Sequence, residues 1–82
     1  MEHGVTEFEL IVGSKPLCVQ MQYGKPTMWM MVPIKEPQTE RRRFMWITTG
    51  SHIPLDAAHL IYIGTIQLEN GAFVHHLFEV LK

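Results

Sequence analysis

Three consecutive guanidinium groups, Arg41-Arg42-Arg43, are the densest chemistry in a chain with only seven Lys and Arg among 82 residues. Guanidinium recognises phosphates and carboxylates through paired N–H donors and stacks on flat rings. Along a strand, alternation sends Arg42 to one face and Arg41 with Arg43 to the other. Trp46 lies four residues beyond Arg42, so it shares that face, where an indole can stack on a base. Just downstream, Thr48-Thr49-Gly50-Ser51-His52 combines hydroxyls, a flexible backbone and an imidazole. Successive backbone N–H groups in such a turn can form an anion-binding nest. The blander alternatives are a solvated strand start paired with Glu36 and Glu40, and an ordinary strand connection. The Gly-Lys-Ser/Thr of a phosphate-binding P-loop is absent, so no nucleotide-hydrolase signature exists here.

Other reactive side chains carry less. His75 and His76 are adjacent, so on a strand they point to opposite faces and cannot share a metal within one subunit. With His52 and His59 they read as structural histidines, and no metal or cofactor is expected. Cys18 and the Ser51-His52 pair are nominal nucleophiles, but neither has a base and an orienting group at recognisable spacing. An enzyme is not expected.

Composition sets the scale. Eighty-two residues make a single β-rich domain over 1–82. A chain this short buries only about 60% of its unfolded surface, yet 46% of its residues are hydrophobic, including six Met and two Trp. The lone Cys18 cannot staple the monomer. A homo-oligomer that hides the apolar surplus is the simplest resolution. The net charge of −1 and pI near 6.5 give no drive toward nucleic acid or anionic membrane. No helix-turn-helix or zinc module appears, which argues against direct DNA binding. No run reaches the roughly 18–20 apolar residues of a membrane span. Met1-Glu2-His3-Gly4 lacks the basic and apolar regions of a signal peptide, and one unpaired cysteine suits a reducing cytoplasm.

The elements that must position these groups are strands. Thr6, Phe8, Leu10 and Val12 alternate with Glu7 and Glu9, and Gly13-Ser14 can turn the chain. Leu17, Val19, Met21 and Tyr23 alternate with Cys18, Gln20 and Gln22, and Gly24-Lys25-Pro26 signals a turn. Thr27 to Val32 returns as a strand that is apolar on both faces, and the prolines Pro26 and Pro33 that bracket it exclude a helix. Met28, Met30 and Met31 on this strand are the expected subunit interface, because Met packs adaptably. Pro33 to Glu40 reads as the longest loop. Arg41 to Thr48 resumes a strand, with Phe44, Trp46 and Thr48 on one side and Arg43, Met45 and Ile47 on the other. Asp56-Ala57-Ala58-His59 has the length of one helical turn. Residues 61–80 form two β-rich runs around Asn70-Gly71, the pair best suited to a type I′ hairpin turn. The expected fold is all-β: a small antiparallel sandwich or barrel-like meander of about six strands, with at most one short helical turn.

Val19-Gln20-Met21-Gln22-Tyr23-Gly24-Lys25-Pro26-Thr27-Met28-Trp29 resembles a pattern in a family of short, uncharacterised proteins of tailed bacteriophages. Thr49-Gly50 with His52-Ile53, Tyr62-Ile63-Gly64-Thr65-Ile66-Gln67 and His76-Leu77-Phe78-Glu79 extend the resemblance in the same order. Family members often place the His directly after the Gly, whereas Ser51 intervenes here. The resemblance implies a phage origin, a host-cytoplasmic location and no particular activity. The expectation is then a phage-encoded, non-enzymatic binding protein. Its sharpest form is a counter-defence sponge, a homo-oligomer that sequesters a nucleotide-derived immune signal. Arg41, Arg42, Arg43 and the loop of Thr48, Thr49, Gly50, Ser51 and His52 would grip phosphates, and Trp46, Trp29 or Tyr62 would stack on the base. The alternatives are a protein–protein inhibitor of a host or defence enzyme, docking through the Met/Trp strand or an unpaired sheet edge, and a minor phage structural or assembly protein.

Overall fold

The period-2 runs all become strands. The computed structural model describes residues 4–52 and 59–81, with β1 at Val5–Ile11, β2 at Lys15–Gln22, β3 at Lys25–Met31, β4 at Thr39–Thr48, β5 at Leu60–Leu68 and β6 at Phe73–Val80. Helical conformation among the described residues is confined to the 3-10 turn Glu69–Gly71 and to His59. The stretch Asp56-Ala57-Ala58 falls outside them.

Two antiparallel sheets result. One has the order β1-β4-β6-β5, and the other is the β2-β3 hairpin. Directly opposed residues of antiparallel strands share a face, so the register defines two sides of the larger sheet. Thr6, Phe8, Arg42, Phe44, Trp46, His75, Leu77, Glu79 and Ile66 occupy the first. Glu7, Glu9, Arg41, Arg43, Met45, Ile47, His76 and Phe78 occupy the second.

The first side carries the main core. Phe44, Ile66 and Leu77 are buried with Val19 of β2, and Met28 and Met30 of β3 pack onto them. β2 crosses β5 closely enough that a Cβ on Gly64 would lie 2.9 Å from Val19 Cγ1 and 3.3 Å from its backbone nitrogen. Glycine is required there because two backbones meet, at the bulge where the register shifts between Tyr62 and Gly64. On the second side Met45, Ile47 and Val80 are buried, with Leu60 and Phe78 against them. Central β4 thus buries residues on both faces, whereas β3, the strand expected to be apolar on both faces, ends its sheet and leaves Trp29 and Met31 exposed.

Two turns differ from expectation. The C-terminal hairpin forms, but not through a two-residue Asn70-Gly71 turn. Leu68 pairs with Phe73, leaving a four-residue loop in which Glu69, Asn70 and Gly71 all have positive φ. The two-residue geometry sits instead at Tyr23-Gly24, between the paired Gln22 and Lys25, where φ is 51° and 77°. Positive φ at both central positions is what a type I′ turn demands.

Candidate functional site

An apolar cleft of about 280 Å³ opens on the first side of the sheet. β1 supplies Thr6 and Phe8, β3 supplies Pro26 and Met28, and Val19, Phe44, Trp46 and Leu77 complete the lining. Each of β1 and β3 ends its sheet, so the cleft is bounded by two edge strands. Phe8 and Phe44 form a tilted ring pair with centroids 5.9 Å apart. Trp46 sets its edge against the His75 ring at 6.4 Å. Thr6 is the one polar side chain in the lining, so this site can bury apolar groups and has no acid or base to offer.

The arginines divide as alternation requires, and their duties differ. Arg42 turns to the core side, where Nε donates to Glu79 Oε2 at 2.7 Å and Nη2 donates to Glu79 Oε1 at 2.8 Å. Its Nη1 donates to the Ser14 carbonyl. Glu40 adds a looser contact at 3.7 Å. The hydrogen bond to Glu79 raises the Arg42 pKa above its ordinary value, against an opposing effect of burial. With three edges of its fork engaged, Arg42 fastens the β1-β2 turn to β6. Ser14 is itself buried, its hydroxyl donating to Ile11 O at 2.6 Å.

Arg41 lies on the second side and pairs with Glu7 at 2.9 Å, both largely exposed. Arg43 shares that side, is exposed, and makes no ion pair or side-chain hydrogen bond among the described residues. All three arginines border a shallow groove of about 500 Å³ together with Ile61, Val80 and Leu81.

The Thr48–His52 segment sits at the opposite end of β4. Six residues separate Arg43 from Thr49, which at about 3.3 Å per residue is roughly 20 Å, so the structure does not bring arginines and loop into one pocket. Two amides of the turn are already engaged. Thr49 N donates to Val74 O at 2.9 Å and Ser51 N to Thr48 O at 3.0 Å, and Gly50 holds φ at 93° between them. Trp29 lies on the outer face of β3, opposite Cys18.

Sequence reasoning missed how Thr49 and Tyr62 connect. His76 Nε2 meets Thr49 Oγ1 at 2.7 Å and His76 Nδ1 meets Thr65 Oγ1 at 2.9 Å. Thr65 Oγ1 in turn bonds the Tyr62 hydroxyl. The three segments Thr49-Gly50, Tyr62–Gln67 and His76–Glu79 therefore converge on one chain of hydroxyls and an imidazole. The imidazole bridges two hydroxyls, and Thr65 passes the chain on to Tyr62. His75 faces the other way, bonding Thr48 Oγ1 at 3.0 Å. The available signal was the pairing of β5 with β6, which sets Thr65 opposite His76.

Of the expected interface methionines, Met28 and Met30 turn inward against the core. Met31 stays exposed, as do Trp29 and Val32. Among the described residues no three His, Cys, Asp or Glu side chains cluster to hold a metal.

Fold and cleft together define a small two-sheet β protein with an apolar notch between edge strands. The family model for a domain of unknown function, DUF7352, matches residues 2–82, and the chain belongs to that family. Neither a curated protein nor a solved structure matches it.

Proposed function

We propose that this chain is a phage-encoded, non-enzymatic binding protein that occupies a partner protein in the infected cell, as an inhibitor of a host or defence enzyme. One observation carries the reading: an apolar cleft is walled by Phe8, Phe44, Trp46 and Met28 and opens between two edge strands. Apolar walls reward burial at about 25 cal/mol per Å², and a thioether adapts to irregular side chains. The phage origin comes from the sequence resemblance. The test is capture with the tagged chain from infected cells, followed by reconstitution with the purified partner. Stoichiometric binding that weakens at least tenfold in Phe8→Ala supports inhibition by occupation. A chain that retains no stoichiometric protein under these conditions overturns it.

A second reading, the nucleotide-signal sponge, draws on Arg43, whose guanidinium is uncommitted beside the groove of Ile61, Val80 and Leu81. Its support is narrower, because Arg42 and Arg41 are neutralised by Glu79 and Glu7 and no arginine lines the aromatic cleft. Calorimetry against cyclic dinucleotides and ADP-ribose-type molecules decides it. Micromolar binding lost in Arg43→Ala favours the sponge, and no heat at those concentrations removes it.

A further inference from the structure

Exposed sheet edges invite strand addition, and proteins blunt them with proline, lysine, bulges or cover. Three of the four edges here carry such a device. β3 holds Lys25 and Pro26. β2 holds Pro16 and a register shift between Pro16 and Cys18. β5 has its own shift between Tyr62 and Gly64, with β2 packed against it. Among the described residues β1 has no proline, lysine or register shift, and only the charges of Glu7 and Glu9 guard its edge. Val5–Ile11 contains no Pro, Gly or Lys, and its seven pairings with β4 run without a register shift. It also forms one lip of the aromatic cleft through Thr6 and Phe8.

Resting on the cleft reading above, we propose that the β1 edge accepts an extended segment of the partner as an added strand, and that this segment alternates apolar with basic residues. Residues of the added strand that stand beside Thr6 and Phe8 share their side of the sheet and drop into the cleft. Those that stand between them share the side of Glu7 and Glu9, the only charges on β1. Both carboxylates are half-spent. Glu7 Oε1 takes Arg41 and Glu9 Oε2 takes the Thr39 hydroxyl at 2.6 Å, while the second oxygen of each has no partner among the described residues. Lysine or arginine at those positions gains opposite-charge cross-strand pairs. The same charges discriminate against a second copy of this chain. Antiparallel self-pairing of β1 centred on Phe8 sets Glu7 of one copy opposite Glu9 of the other, and like charges directly opposed destabilise a sheet.

The test uses fluorescent nine-residue peptides of alternating Val and Lys, alternating Val and Glu, and the Val/Lys peptide N-methylated at alternate residues. Binding is followed by anisotropy and by amide chemical shifts of the whole isotopically labelled protein. The expected result is Val/Lys binding at least tenfold tighter than Val/Glu, loss of most of that binding on N-methylation, and shifts concentrated in Val5–Ile11. Glu7→Gln with Glu9→Gln then narrows the difference between the two charge forms. Equal binding of the N-methylated peptide, shifts centred elsewhere, binding of neither peptide, or peptide-free shifts of Val5–Ile11 that grow with protein concentration each overturn strand addition. If a captured partner binds and depends on Phe8 while the β1 amides stay unperturbed, occupation of the cleft survives and strand addition fails. Loss of both sinks both.

Discussion

Arg42 and Glu79 face each other in a two-pronged ion pair that ties β4 to β6, with side-chain exposures of only 15% and 10%. Their partnership spans 37 residues of sequence. Removing one member strands the other's charge where water reaches it poorly, a loss of about 3 kcal/mol for such a pair. Arg42→Met is expected to lower urea-unfolding stability by about that amount, since it also deprives the Ser14 carbonyl of its donor. Arg42→Met combined with Glu79→Leu should recover most of the loss. A double variant as unstable as the single one would contradict this account.

The pH dependence of the Arg42 contribution has a definite sign. Its folded-state pKa is raised, chiefly by the hydrogen bond to Glu79. A cation so shifted contributes in full below the unfolded guanidinium pKa and loses that contribution only as pH rises through the folded one. Thermal melts from pH 7 to 10 should therefore show the same difference between native protein and Arg42→Met. A difference that shrinks across this window would disprove the assignment.

Gly64 should not tolerate a methyl group. A Cβ there meets Val19 Cγ1 at 2.9 Å and Val19 N at 3.3 Å, and overpacking of this kind costs about 1–3 kcal/mol. Gly64→Ala is expected to destabilise by about 2 kcal/mol. A double-mutant cycle with Val19→Ala should show favourable coupling, because shortening Val19 relieves the nearest contact while its backbone nitrogen remains in the way.

In the hydroxyl chain, Thr65 is the hinge. It bonds both His76 and Tyr62, whereas the exposed Thr49 bonds His76 alone. Thr65→Val should therefore cost about 1–2 kcal/mol and Thr49→Val less than about 1 kcal/mol. Denaturant midpoints of the two variants measured side by side check the order.

Self-association, if it occurs through the Met-rich strand, must use its outer face. Trp29 and Met31 are 44% and 57% exposed, whereas Met28 and Met30 pack against the core. Met31→Lys is expected to shift sedimentation toward the single subunit with stability unchanged within about 0.5 kcal/mol. Met28→Ala should instead cost stability, as core truncations do.

Alternation along the chain by itself determined the all-β class, the six strands and the facing of neighbours. Arg42 and Trp46 do share one side, Arg41 and Arg43 the other, and His75 and His76 part company. These follow from the two-residue period, a property of covalent geometry that any strand expresses wherever it packs. Tertiary structure alone decided who stands opposite. Glu79 claims Arg42, Thr65 and Thr49 claim His76, and Phe8 joins Phe44 at the cleft through pairings between segments distant in sequence. It also chose the inward face of β3 and the four-residue turn after Leu68. Such choices depend on the summed burial of two sheets, which no local window contains, so a residue's chemistry was legible before its partner was.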